Sequence, residues 1–389
     1  MGARQDLDVV VCGGGRTGHL NAVLFKQVPG VRVSLLTTRQ DVIAQHHASS
    51  ESLTAFVPDA PPLRARLDAV GSEASLAAQA DLVILTVPAH VRAAWLRRVV
   101  HALPHDKPVY VGAIPGFCGF DWLAEQILAE RPNAVIWGMK DVPHTAFDLH
   151  PGVSVRMGGA KQVLHVGTHA RETPEARAAL QGLLQRLYAA PVHLLDHFLE
   201  ITLTPGNPIM HSSVVYGLAG PYSQWHGRAF PAPVCWWSDC TELGAYFLQR
   251  SDEECQRLCQ AVQERLGIDL SSVKPLHQEI VEAYGDQIRD PRTLLSTLRT
   301  NQAYDAIEAP MAPATTQPGY VIDRESRAFQ EDVAYGLAVL VEMGRRLDVP
   351  LPYIQEIFDW NVGYMQGLRG SALDYFPSTW PACPAGPDA

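Results

Sequence analysis

The stretch "VVVCGGGRTGHLNA", residues 9–22, decides how the first half of the chain folds. A β-branched apolar run leads into Gly13, Gly15 and Gly18, in G-x-G-x-x-G spacing, and then into a helical pattern over residues 18–28. Gly13 permits a tight turn, Gly15 lets backbone approach a pyrophosphate, and Gly18 allows close helix–strand packing. The helix N-terminus turns its free N–H groups toward the phosphates, with Arg16 and Thr17 in the turn as further cofactor contacts. The motif alone is weak, but here it leaves a strand, opens a helix and is followed by a second strand, "VRVSLLT". That context marks a dinucleotide-binding unit.

The tip of the second strand bears on which dinucleotide. It reads "LLTTRQD", with Thr38 and Arg39 where an acidic residue would otherwise hold a ribose 2′-hydroxyl. An arginine and hydroxyls suit a 2′-phosphate, so NADPH is expected, with NADH the weaker alternative. Asp41 lies two residues beyond. Further on, Pro88 closes the strand "LVILTVPA" and should line the nicotinamide ribose.

Short apolar strands alternate with helices through "PVYVGAI" and "NAVIWGM", which implies a parallel sheet covered on both faces. "VSVRMGG", "QVLHVGT" and "PVHLLDHF" read as a further strand set. The expected organisation is an α/β Rossmann-type domain over residues 1–198, then a mainly α-helical catalytic domain over 199–389. Apolar residues recur at three and four spacings through "TELGAYFLQRSDEECQRLCQAVQERLG", "LHQEIVEAYG", "EDVAYGLAVLVEMGRRLD" and "LPYIQEIFDWNVGYMQGL". Strand-like runs nearly vanish there.

The bulk properties exclude several classes. A net charge of −10 without a basic run argues against nucleic acid. No apolar run is long enough to span a membrane. Seven scattered cysteines without a C-x-x-C pair read as reduced thiols of a cytoplasmic protein, and no spacing suits a metal site.

"TPGNPIMHSS", residues 204–213, carries the expected chemistry. His211 can move protons near neutral pH, and Asn207, four residues earlier, can orient a carbonyl or amide. A carboxylate partner would fix the imidazole tautomer, and Asp332 in "RAFQEDVAYGLAV" is the candidate. Asp141 in "WGMKDVPHT" either contacts a substrate amine or caps the next segment. Trp236 and Trp237 either wall a substrate pocket or divide between core and interface.

The glycine motif, "GNPIMH" opening a helical domain, and the later R-x-F-x-E-D-V-x-Y-G-L pattern together resemble the octopine/nopaline-type opine dehydrogenases, over residues 7 to about 368. The resemblance implies Asn207, His211 and Asp332 as the catalytic group and Arg327 as a binder of the substrate carboxylate. It departs from the family pattern at Ala328, where an aromatic residue usually follows the arginine. There is also similarity to the metallophore branch, the staphylopine and pseudopaline synthases, carried by Asp141 in "GMKDVPH". The implied reaction is reductive condensation of an amino acid or related amine with a 2-oxo acid. The alternative is an NADP-linked reductase of 2-oxo acids built like ketopantoate reductase, for which no lysine stands in a comparable motif. A non-catalytic dinucleotide sensor is a third reading, against which the Asn/His/Asp set argues. The aromatic-rich "YIQEIFDWNVGYM" suggests a homodimer face.

Overall fold

β-Branched runs become buried strands where both sheet faces are covered, and the chain divides accordingly into two units, Met1–Thr202 and Leu203–Ala389. The structure is a computed structural model that describes residues 6–48, 53–204, 206–223 and 227–381.

The strands of the first unit are β1 (Leu7–Cys12), β2 (Val31–Leu36), β3 (Leu53–Phe56), β4 (Leu63–Ala65), β5 (Ala69–Gly71), β6 (Leu82–Leu85), β7 (Val109–Ala113), β8 (Ala134–Met139), β9 (His144–His150), β10 (Ser154–Ala160), β11 (Leu164–Thr168) and β12 (Val192–Leu194). Its helices are α1 (Arg16–Lys26), α2 (Gln40–Ala48), α3 (Ala89–Val99), α4 (Phe120–Ile127), α5 (Pro174–Tyr188) and α6 (Leu199–Thr202). Eight strands form one sheet in the order β12-β11-β8-β7-β6-β1-β2-β5. From β5 to β8 every neighbouring pair is parallel. The strand order reverses between β1 and β6, and in such sheets ligands lie beyond the carboxyl ends at that switch point.

Two expectations need correction. The sheet is not wholly parallel, because β11 runs antiparallel to β8. "VSVRMGG" does not join it either: as β10 it pairs with β9 and β3 in a separate sheet ordered β4-β3-β10-β9. Burial explains the separation. β6 and β8 are buried along their whole length, whereas β9 alternates between half-buried and exposed, as a sheet with one solvated face requires.

The division after Thr202, rather than at the expected 198, also has a local cause. All four residues of α6 are buried, and Ile201 packs where Gly167 has no side chain: a Cβ there would lie 2.9 Å from Ile201 Cδ1.

The second unit contains α7 (Asn207–Ala219), α8 (Glu242–Leu266), α9 (Leu276–Tyr284), α10 (Leu294–Thr300), α11 (Ala338–Leu347) and α12 (Pro352–Tyr364). Thr241 caps α8 by accepting from Gly244 N, and Gly267 ends it in the left-handed conformation. Two buried acids of α8 cap its neighbours. Asp252 accepts from Leu276 N at the start of α9, and Glu254 accepts from Tyr353 N and Ile354 N at the start of α12. A small hairpin, β13 (Met311–Pro313) with β14 (Tyr320–Ile322), interrupts the helices. A π-helix over Ala328–Leu337 leads into α11. Much of "YIQEIFDWNVGYM" packs inside the unit: Ile354 and Ile357 are buried, and Trp360 stacks on Tyr364. Among the described residues no helix is long and apolar enough to cross a membrane.

Candidate active site

The cofactor end begins where β1 stops. Gly13 has φ +124°, and a Cβ on Gly18 would lie 1.9 Å from Gly13 O, so only glycine allows α1 to start this close to the strand. Gly15 is the N-cap of α1 without a side-chain cap, and the first turn holds no acidic residue. Open space surrounds the position of a Gly15 Cβ. An uncapped helix start facing open space fits a diphosphate, which would take the N–H groups near Gly15, Arg16 and Thr17. Arg16 is exposed and Thr17 half-buried. Pro88, half-buried, is the N-cap of α3 at the neighbouring strand end.

Thr38 and Arg39 are exposed at the tip after β2. The Arg39 stem runs beside the glycine turn, its Cδ 3.4 Å from where a Gly14 Cβ would stand. Its guanidinium bonds Asp41, with Nη2 at 2.5 Å from Oδ2 and Nε at 3.1 Å from Oδ1. That bond holds the Asp41 carboxyl below its ordinary range. A 2′-phosphate would therefore compete with Asp41 for Arg39.

Sequence reading missed His19, which the helix places one turn after Gly15. Its buried ring bonds Gly15 O through Nδ1 (3.0 Å) and accepts from Gly152 N at Nε2 (2.9 Å), tying the glycine turn to the β9–β10 connection. Burial pushes its pKa down to about 4, so the ring is neutral, with its proton on Nδ1. The signal was the histidine's spacing from Gly15 inside the motif. Asp141 follows β8 and is half-exposed, with Lys161 Nζ at 3.2 Å.

In the second unit, Pro208 suits the first turn of α7, and Gly206 precedes it as N-cap. Asn207 begins the helix, exposed, and His211 follows four residues later on the same face. Gly336 of the π-helix lets α7 approach: a Cβ there would lie 2.4 Å from Pro208 Cγ. This close packing brings Asp332 to His211, with Nδ1 donating to Oδ2 at 2.9 Å. The Asp332 side chain is 3% exposed and that of His211 18%. Burial raises the Asp332 carboxyl above its ordinary range, and the bond from His211 pulls it back. With Nδ1 engaged, Nε2 is left to exchange a proton.

Trp236 and Trp237 are both buried and stack on the His211 ring, at centroid separations of 4.4 and 5.6 Å. Trp237 also meets Tyr304 at 5.2 Å. The imidazole plane is thus held from its face by indoles and from its edge by a carboxylate. Arg327 bonds the fully buried Glu331 through Nε (2.9 Å) and Nη2 (2.6 Å), and its charge also lowers the pKa of the Asp332 carboxyl. The arrangement of His211 and Asp332 can protonate or deprotonate an oxygen or nitrogen placed at Nε2.

Residues 194–365 match the family model for the NAD/NADP octopine/nopaline dehydrogenase alpha-helical domain. An uncharacterized protein, y4xO, of Sinorhizobium fredii (strain NBRC 101917 / NGR234) is 53% identical, covering 96% of this chain and 99% of its own length. Tauropine dehydrogenase of Arabella iricolor is 27% identical over 90% of each chain. A solved structure of octopine dehydrogenase with NADH and L-arginine shares the fold, with a TM-score of 0.80 at 23% identity over 92% of this chain and 90% of that one.

Proposed function

Since the chain belongs to the octopine/nopaline-type opine dehydrogenase family, whose reaction is an NAD(P)-dependent reductive condensation of an amino acid with a 2-oxo acid, we propose that it draws its hydride from NADPH and its proton traffic from His211. The observation that carries this reading is the His211–Asp332 bond inside an indole-walled site. The amine of an amino acid or related amine adds to the oxo carbon, giving a carbinolamine. His211 protonates its hydroxyl, which leaves as water as the C=N bond forms. When bound, the nicotinamide supplies the hydride that reduces the imine carbon, and the product is an N-(1-carboxyalkyl) amino acid. Asp332 keeps the His211 proton on Nδ1 and supports the imidazolium between steps. Asn207, on the same helix face, orients the oxo acid. Trp237 lines the amine's side chain.

Arg327 is proposed as the carboxylate binder, in exchange with Glu331, and Asp141 as a contact for a cationic amine. Such a contact supports a product of the opine-metallophore type, which product masses and metal titration of the purified product would test. Exposed Arg39 supports NADPH over NADH. The six described cysteines are free thiols, which supports a cytoplasmic setting. Exposed Tyr222 and Tyr246 support a homodimer, and a monomer in light scattering at micromolar concentration would sink that assembly.

The test of the catalytic reading is His211→Ala at saturating substrates, with cofactor binding followed by fluorescence. Turnover should fall about 10²–10⁴-fold while the cofactor still binds. Near-normal turnover would make the histidine structural.

A further inference from the structure

Arg92, in the first turns of α3, is 2% exposed, and among the described residues it has no carboxylate partner. Its partners are instead backbone carbonyls. Nη2 donates to Pro115 O at 2.8 Å, Nη1 to Phe117 O at 2.9 Å, and Nε to Val87 O at 3.4 Å. The rings of Phe117 and Phe120 lie 5.2 and 5.8 Å from the guanidinium carbon. A buried cation is costly unless its hydrogens are bonded, and here each of its three nitrogens has a carbonyl partner without a counter-charge. One side chain therefore ties together the two loops that leave β6 and β7.

Those loops stand beyond the carboxyl ends of adjacent parallel strands, next to the switch point where a dinucleotide crosses such a sheet. The second loop is seated on β8. Gly116 N donates to Met139 O at 2.7 Å. A Cβ on Gly116 would lie 2.9 Å from Gly138 Cα, so the loop rests directly on β8. Cys118 and Gly119 both have φ 66°, a left-handed pair that is unfavourable at the cysteine and persists only where its surroundings hold it. Arg92 supplies that hold by drawing the carbonyls of Pro115 and Phe117 inward.

We propose that Arg92 is a positioning residue for the nicotinamide half of the cofactor, setting the loops after β6 and β7 so that the hydride-bearing carbon is presented in register. The proposal rests on the reading that this unit binds a nicotinamide dinucleotide. It separates the two halves of the ligand: the glycine turn and Arg39 hold the adenosine and diphosphate end, and Arg92 acts only on the other.

The test is Arg92→Lys in the full-length protein, which keeps the charge but loses the planar fork whose separate nitrogens reach the three carbonyls. Five quantities are read: melting temperature, dissociation constants of ADP-ribose and of the reduced cofactor, kcat, and the primary isotope effect with cofactor deuterated at nicotinamide C4. In a folded variant ADP-ribose affinity should stay within about twofold, while kcat falls roughly tenfold to a hundredfold and the isotope effect rises, as misplacement of the reacting carbon requires. Unchanged kcat and isotope effect in folded Arg92→Lys would overturn the proposal, because a purely structural role would move only the melting temperature. If that variant does not fold, Gly116→Ala decides on the same readouts, since its methyl group lifts the loop off Gly138 with Arg92 intact. Wild-type protein that bound neither NADH nor NADPH would instead remove the cofactor reading, and the proposal with it.

Discussion

The two units organise their proposed functional groups by opposite means. The first works through backbone: Gly13, Gly15 and Gly18 are valuable for the side chains they lack, and α1 offers bare N–H groups. The second works through side chains: His211, Asp332, Trp236 and Trp237 come from α7, the π-helix and the segment before α8, and their order is set by tertiary packing. A backbone site is encoded in a short run of consecutive residues. A side-chain site is spread over more than a hundred residues and exists only when the fold is complete.

The sharpest way to break this comparison is to put a side chain where the first unit needs none. Gly18→Ala forces a methyl group against Gly13 O, and relief requires the strand and helix to separate. Overpacking of about 3 kcal/mol corresponds to roughly a hundredfold loss of cofactor affinity. Fluorescence titration checks it.

In the second unit the matching change removes a charge and keeps the shape. Asp332→Asn should lower turnover roughly tenfold to a hundredfold, the range expected for a hydrogen bond to a charged group, with cofactor affinity unchanged.

The same contrast governs what could be read in advance. The glycine turn was legible because each glycine answers one local demand. Helix α8 was legible almost to its ends because Thr241 and Gly267 punctuate it. His211 and Asp332 were candidates by residue type before the family resemblance joined them, but no sequence rule measures a distance across 121 positions. The second sheet escaped notice because β3 and β4 span four and three residues, too few for a period to emerge. Arg92 escaped because a lone arginine on a helix is ordinarily solvated, and only its burial shows otherwise.

A smaller effect tests side-chain recognition inside the backbone-driven unit. Arg39→Ala should raise the Michaelis constant for NADPH about tenfold and leave that for NADH nearly unchanged, as loss of one charge-assisted contact to phosphate requires. Competition from Asp41 keeps the effect at that end of the range. Equal losses with both cofactors would remove Arg39 from the 2′-position.

The smallest expected effect is on stability. Asp121, buried in the first turn of α4, has its pKa pushed up to about 7 by burial. Its folded value lies above its unfolded value, so its contribution is full below about pH 4 and is lost as pH rises toward 7. Asp121→Asn should therefore melt a few degrees above wild type at pH 8 and no higher than wild type at pH 4. Scanning calorimetry at both values checks it, and an equal shift at both would contradict the titration.

The π-helix has a consequence for how this protein tolerates changes in length. Its closing bond runs from Ala338 N to Val333 O, one residue wider than an α-helical turn. Removing one residue, such as Gln330, offers the segment an ordinary α-helical phase. Side chains on either side of the gap would then be turned about 100° relative to one another. Arg327 and Glu331 would leave their shared face, and Asp332 would point away from α7. A deletion of one half-buried glutamine thus amounts to a rotation of the acid away from its histidine, with both residues still present and chemically unaltered.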